Sequence, residues 1–225
     1  MIPDLFISRD INEDSIFLEL EANIFAASQI QIHFNSQSID LEPFDWIFFS
    51  SKNAVKWALM NSLDLKKIKI GSIGGSTADF IEANGLKVDY KGADEGMISS
   101  ISKDFNDLVD STEKVLFPLS SISKKSILSH FNKTYEEVIA YQTEYDPILF
   151  DINFDILVFT SPSNFRAFFS ANQIQPRAQI IAIGETTKAE ISKYLNISIF
   201  TPKHRTENAI YELLKQIIST SYTDY

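Results

Sequence analysis

Two stretches of this chain carry the same residue pattern, and that repeat restricts the fold more than any other feature. IFFSSKNAVKWAL at residues 47–59 matches LVFTSPSNFRAFF at 157–169. IGSIGGSTADFI at 70–81 matches IIAIGETTKAEI at 180–191. In both cases the second copy lies 110 positions after the first, without a gap. One such match is weak evidence. Two at a single offset, in a chain of 225 residues, mark a duplicated unit.

Each copy reads as strand, turn, helix, twice over. Ile156, Leu157, Val158 and Phe159 form a short apolar run with no polar alternation, the pattern of a parallel strand covered on both faces. Thr160, Ser161, Pro162, Ser163 and Asn164 supply cap and turn residues, and Phe165, Phe168 and Phe169 follow at helical spacing. After a strand at 180–183, Gly184 interrupts, and Thr186 or Thr187 caps a helix beginning near Lys188. The expected fold is α/β, with two similar parallel-sheet domains built from the duplicated unit.

The remaining elements follow from the same periodicities. Residues 5–7 read as a strand, and Asn12 or Ser15 caps a helix carrying Ile16, Phe17, Leu20, Ile24 and Phe25. Residues 29–34 alternate apolar and polar, as a strand with one wetter face does. Strands are expected at 46–49, 69–73, 88–90, 114–117 and 136–141. Helices are expected at 53–60, 78–83, 97–105 and around Ile127, Leu128 and Phe131. The second copy closes with a strand at 197–200 and a helix from Glu207, and the polar tail from Ser219 is expected to fray. That copy lacks a strand and helix, which residues 5–25 can supply. A discontinuous domain of residues 1–34 plus 146–225 is therefore expected, with a second domain of 42–140 inserted into it. Residues 35–41 and 141–145 are the linker strands, and a cleft between the domains is expected.

Composition excludes several functions. A formal net charge of −10 argues against a nucleic-acid partner held by bulk electrostatics. The chain has no Cys, so disulfides, thiolate chemistry and Cys-bound metals are excluded. The three histidines, His33, His130 and His204, stand far apart without metal-ligand spacing, so no metal is expected. There is no Walker loop, no G-x-G-x-x-G and no G-x-S-x-G. The first residues do not read as a signal peptide, and no apolar run approaches membrane-spanning length. A cytoplasmic monomer with no membrane partner is expected.

What remains is positional. Polar clusters recur just after a strand and just before a helix: Ser8-Arg9; Ser50, Ser51, Lys52 and Asn53; Gly74, Gly75, Ser76 and Thr77; Ser120 and Ser121; Thr160, Ser161, Pro162 and Ser163; Gly184, Glu185, Thr186 and Thr187. In a parallel sheet these are carboxyl ends of strands, where ligands bind, and the helix N-termini there offer N–H groups suited to carboxylates. Taken singly, each Ser or Thr also reads as a plain N-cap. The clustering is what points to a substrate-binding site.

In order and spacing, ISRD at 7–10, FFSSKNAV at 48–55, SIGGSTADFIEANG at 72–85, LFPLSS at 116–121, AYQT at 140–143, FTSPSNFRAFF at 159–169 and AIGETTKAEI at 182–191 resemble the uroporphyrinogen-III synthase family. The chain departs from the family pattern at Ser8-Arg9-Asp10, where many members have Arg-Pro, and at Leu119-Ser120, where Arg-Gly is frequent. The resemblance implies two α/β domains joined by a two-stranded linker, and no cofactor. It implies a lyase of tetrapyrrole and haem biosynthesis that dehydrates the linear tetrapyrrole hydroxymethylbilane, inverts its terminal ring and closes the macrocycle as uroporphyrinogen III. It also implies that Tyr141 faces the substrate as a hydrogen-bond or proton donor; read on its own, Tyr141 is equally a packing aromatic. Arg9, Lys52, Lys124 and Lys188 become candidate partners for substrate carboxylates. A non-catalytic, two-lobed binding module for small anions, or an inactive paralogue, is the alternative to an enzyme.

Overall fold

A computed structural model describes residues 2–93 and 97–221. In chain order its elements are β1 (Asp4–Ile7), β2 (Asn23–Ala26), β3 (Ile30–Phe34), β4 (Trp46–Phe49), α1 (Lys52–Met60), β5 (Lys69–Ser72), α2 (Gly75–Ala83), β6 (Tyr90–Lys91), α3 (Ile98–Leu108), β7 (Lys114–Ser120), β8 (Thr134–Tyr145), β9 (Ile156–Phe159), α4 (Pro162–Ala171), β10 (Gln179–Ala182), α5 (Glu185–Ile191), β11 (Ile199–Phe200) and α6 (Glu207–Ser221). The chain divides into two compact units. One joins Met1–Gln31 to Glu144–Tyr225, and the other is Ile32–Thr143.

The discontinuous unit holds a five-stranded sheet in the order β11-β10-β9-β1-β2, parallel throughout. Its strands are apolar on both faces because both faces are covered. Leu5, Ile7, Ile156, Val158 and Ile181 point to one side and pack with Ile210, Leu214 and Ile217 of α6 and with Phe17. Phe6, Leu157, Phe159 and Ile180 point to the other side, against Phe165 and Phe168 of α4 and Ile191 of α5. Phe6 sits at the centre of that face, its ring 4.7 Å from Phe168 and 5.2 Å from Phe154.

The second sheet has the order β3-β8-β7-β4-β5-β6. From β8 to β6 its pairs are parallel. Ile47, Phe49 and Ile70 face Val55, Trp57 and Ala58 of α1 and Ile81 of α2. Trp46, Phe48, Val115 and Phe117 face Ile101 and Phe105 of α3. Gly71 lies between these aromatics: a Cβ there would fall 2.7 Å from Phe48 Cδ2. The glycine therefore admits a ring rather than shaping a phosphate loop. Both units are mixed α/β with parallel sheets.

Several expectations require correction. Residues 16–25 do not form one helix. Ile16–Glu19 is a single 3-10 turn, and Asn23–Ala26 pairs with β1 as β2. Ser15 precedes that turn without a capping side-chain bond. The helix expected around Ile127 is likewise only a 3-10 turn, Ser126–Leu128. β7 continues through Pro118, which pairs with Val138 of β8. It can do so because β4 pairs with β7 only at Val115 and Leu116, so the missing N–H of Pro118 breaks no ladder bond on that side.

Two asparagines play the same part in the two units, although they stand 111 positions apart rather than 110. Asn61 ends α1 and Asn172 ends α4. Asn61 Oδ1 accepts from Gln37 N (2.9 Å), and its Nδ2 donates to Asn35 O (3.2 Å) and Trp57 O (2.9 Å). Asn172 Oδ1 accepts from Phe150 N (2.9 Å), and its Nδ2 donates to Ile148 O (2.8 Å) and Phe168 O (3.2 Å). Each side-chain amide thus pairs with an extended segment as a neighbouring strand would, and closes its own helix. Asn61→Ala and Asn172→Ala each leave backbone groups without these partners, at a cost of about 1–2 kcal/mol. Urea unfolding is expected to show that loss in both variants, with m unchanged.

Candidate active site

In a parallel sheet the carboxyl ends of the strands share one edge, so the polar clusters after β4, β5 and β7 lie along one edge of the second sheet. Ser51 is the N-cap of α1 and accepts from Ala54 N at 3.2 Å. Its Oγ also shares a 2.9 Å hydrogen bond with Tyr141 Oη. Tyr141 is in β8, is 7% exposed, and belongs to the apolar cluster on the α1 side of the sheet, edge-on to Phe34. Packing and polar readings therefore hold together: the ring is core and the hydroxyl meets serines. Burial pushes the phenol above its ordinary value, against hydrogen bonds to Ser51 and Ser120 that pull it down. Its proton is consequently held throughout the neutral range.

Ser120 ends β7 at an irregular step, where the register with β8 shifts between Leu119 and Ser120. Its Oγ shares a 2.9 Å hydrogen bond with Thr143 Oγ1. Ser121 N donates to Tyr141 O (2.9 Å), and Thr143 N donates to Ser121 Oγ (3.2 Å). Ser51, Ser120, Ser121, Tyr141 and Thr143 thus form one linked polar group, with Ser50 partly buried beside it. Lys52 begins α1 and is exposed.

Gly74, Gly75, Ser76 and Thr77 make the turn from β5 into α2. Gly74 is the N-cap at φ 111°, and Gly75 has φ 44°. Both lie where L side chains are strained, so glycine is required here by conformation. Gly74 N donates to Ser72 Oγ at 3.2 Å. Helix α2 begins at Gly75 rather than Ala78, which places Ser76 on the surface and Thr77 in the buried first turn.

In the discontinuous unit, Thr160 bonds to the adjacent strand end. Its N–H donates to Ser8 Oγ (2.9 Å), and its Oγ1 donates to Ser8 O (3.0 Å). Ser161 caps α4, accepting from Asn164 N and Asn164 Nδ2, both at 3.1 Å. It shares a further 3.1 Å bond with Ser163, and Pro162 occupies the first helical position. Asn164 Oδ1 in turn accepts from Gln29 N at 2.7 Å. Gln29 is fully buried and meets Asp146 N and Ile148 N through its backbone and side-chain oxygens, so it ties the chain that leaves this unit to the chain that re-enters it.

Helix α5 begins at Glu185 with Gly184 as its N-cap, so Thr186 and Thr187 lie inside the first turn and neither is the cap. Thr187 is 3% exposed. Gly184 has φ −177°, ordinary extended backbone, so its role is not conformational freedom. A Cβ there would fall 2.9 Å from Arg205 Nε; the glycine makes room for that arginine. Arg9 forms an ion pair with Glu207 and lies 5.4 Å from the Phe17 ring centroid. Arg205, Glu207 and Thr143 lie outside the site expected from the sequence. Nothing in the local pattern around them, beyond their charge or hydroxyl, places them at a strand end.

Among the described residues no group of three or more His, Asp or Glu side chains is placed to hold a metal ion. Among them, too, no helix is long and apolar enough to cross a membrane.

The fold has known counterparts. The solved structure of uroporphyrinogen-III synthetase from Helicobacter pylori 26695 superposes with a TM-score of 0.71 at 18% identity, over 96% of this chain and 100% of that one. A mutant uroporphyrinogen III synthase from the extremely thermophilic bacterium Thermus thermophilus gives 0.62 at 12% identity, over 97% and 100%. At such identities the likeness is one of fold. No curated protein matches the sequence. The family model described as uroporphyrinogen-III synthase HemD matches residues 16–212, a span that includes Tyr141, and the chain belongs to the uroporphyrinogen-III synthase family.

Proposed function

We propose that this protein converts hydroxymethylbilane to uroporphyrinogen III. The observation that carries the reading is the family match over residues 16–212. The hydrogen-bonded Tyr141 hydroxyl at the polar edge of the second sheet supports it. The reaction begins with departure of the substrate's terminal hydroxyl, which must take a proton as its C–O bond breaks and leave as water. Ser51 Oγ already accepts from Ala54 N, so it can donate its own proton to Tyr141 Oη. The phenol proton is then free for the departing oxygen. The azafulvene cation left behind is attacked by the substituted carbon of the terminal pyrrole. A spiro intermediate forms, the bond from that carbon to its original bridge breaks, and the bridge bonds to the other α-carbon of the ring, which gives up its proton as the macrocycle closes with that ring inverted.

The remaining task is positioning, which needs donors to carboxylates rather than a covalent catalyst. Those donors come from the turns that carry Ser50, Ser51, Gly74, Gly75, Ser76, Thr77, Ser120 and Ser121 on one sheet edge, apart from the N–H groups of Gly74, Thr77 and Ser121, which already donate within the protein. On the other sheet edge they come from the turns of Ser161, Pro162-Ser163, Gly184 and Thr186; Thr160 directs both its N–H and its hydroxyl to Ser8, and the Thr187 N–H donates to Gly184 O, so these two hold the turns in shape. Pro162 contributes by fixing the helix start rather than by donating. Lys52 supplies a cation at the first edge. The protein acts without a cofactor, as a monomer in the cytoplasm. The test is the rate at which hydroxymethylbilane disappears. Consumption faster than in buffer is expected. Consumption at the buffer rate, with the bilane bound, would make the protein a binding module or an inactive paralogue.

A further inference from the structure

The segment between β11 and α6 crosses the carboxyl edge of the first sheet. It leaves the end of β11, passes Gly184 beyond β10 with Arg205, and reaches Arg9 beyond β1 with Glu207. Three strand spacings are about 14 Å. The residues from Thr201 to Glu207 span up to about 20 Å when extended, enough for that path. The far end is fixed at several points. Glu207 holds Arg9 and accepts from Ser15 Oγ at 3.3 Å, and Ala209 N donates to Thr206 Oγ1 (3.3 Å) where α6 begins.

The two arginines on this edge are therefore in opposite states. The charge of Arg9 is already met by Glu207, over the ring of Phe17. Arg205 lies across Gly184, is exposed, and forms no ion pair or hydrogen bond through its side chain with any described residue. An uncompensated guanidinium laid along a polar strand-end edge, and given room by a glycine whose backbone does not need to be glycine, is placed to receive an anion. We propose that Arg205 is a carboxylate-binding residue of this edge, and that Arg9, through Glu207, is the anchor that positions the strap carrying it. The bidentate fork of Arg suits a propionate or acetate group. This assignment rests on the proposed synthase function for the identity of the ligand, and not for the presence of an anion subsite.

The test uses uroporphyrin, a porphyrin with carboxylates on every pyrrole, titrated into the full-length protein by fluorescence. Arg205→Gln is expected to weaken binding about tenfold, the loss of one charge-assisted contact. Arg205→Lys should recover part of it, because a point charge lacks the fork. Lys203→Gln, the same charge change on the same strap, should stay within about twofold, as an exposed charge does. If Arg205→Gln binds like Lys203→Gln, or if the unmodified protein does not bind uroporphyrin, the assignment is wrong. Arg205-dependent binding by a protein that leaves hydroxymethylbilane consumption at the buffer rate supports the subsite and removes the synthase reading. Accelerated consumption with binding indifferent to Arg205 does the reverse.

Discussion

Tyr141→Phe is expected to slow turnover of hydroxymethylbilane by about 10²–10⁴-fold while leaving the product isomer unchanged, the range typical for loss of a general acid. The hydroxyl is 2.9 Å from Ser51 Oγ, and Ser51 is itself fixed by capping α1. Removing the oxygen takes away the donor but leaves the ring in the apolar cluster around Trp57 and Ile47, so the fold should hold. Because burial raises the phenol above its ordinary value of 10.0, the protonated donor is the major form at every pH up to that value. An alkaline fall in turnover assigned to Tyr141 should therefore have its midpoint above pH 10.0, and should be missing in the Phe variant. Single-turnover rates of the two proteins decide the matter, and equal rates would reduce Tyr141 to a packing residue.

Gly74→Ala is the second large effect, expected to lower kcat/KM by about 10²-fold. Gly74 stands at φ 111° and ψ −173°, a conformation in which an L side chain costs about 1–3 kcal/mol. The turn can relieve that strain only by moving the N–H groups of residues 75–77, and a displacement near 1 Å in a positioning site costs about 10²-fold. Gly184→Ala is the matched control. Its backbone, at φ −177°, accepts any residue, and the nearest neighbours of the new methyl are atoms of the flexible side chain of Arg205. It should fold as well as the unaltered protein and affect catalysis only as far as Arg205 is displaced. Equal damage from both substitutions, in proteins with matching circular dichroism, would contradict the role of backbone conformation at Gly74.

Much of the fold is legible in the sequence. Apolar runs at 46–49, 156–159 and 180–182 can only be strands covered on both faces, and they are. Ser51 and Ser161 cap the helices that their spacing implies, because a hydroxyl three residues before a free backbone N–H is a local arrangement. The misreadings have equally local causes. Ile16, Phe17, Leu20, Ile24 and Phe25 satisfy helical spacing, yet Ile24 and Phe25 belong to a strand whose pairing with β1 overrides that pattern. The start of α5 is misread because Thr186 and Thr187 resemble caps, whereas Gly184 serves and the threonines are drawn into the first turn. Arg205 and Glu207 are invisible as site residues because their partners, Gly184 and Arg9, lie far away along the chain. Contacts of that kind follow from topology and carry no periodic signature.

A chain that directs ring inversion reveals it in the isomer it releases. Hydroxymethylbilane is supplied to the protein, the product is oxidised, and the porphyrin isomers are separated. An excess of the type III isomer is expected, one that scales with protein concentration and persists, at a lower rate, in Tyr141→Phe. Type I isomer alone, formed as fast as in buffer, would contradict it.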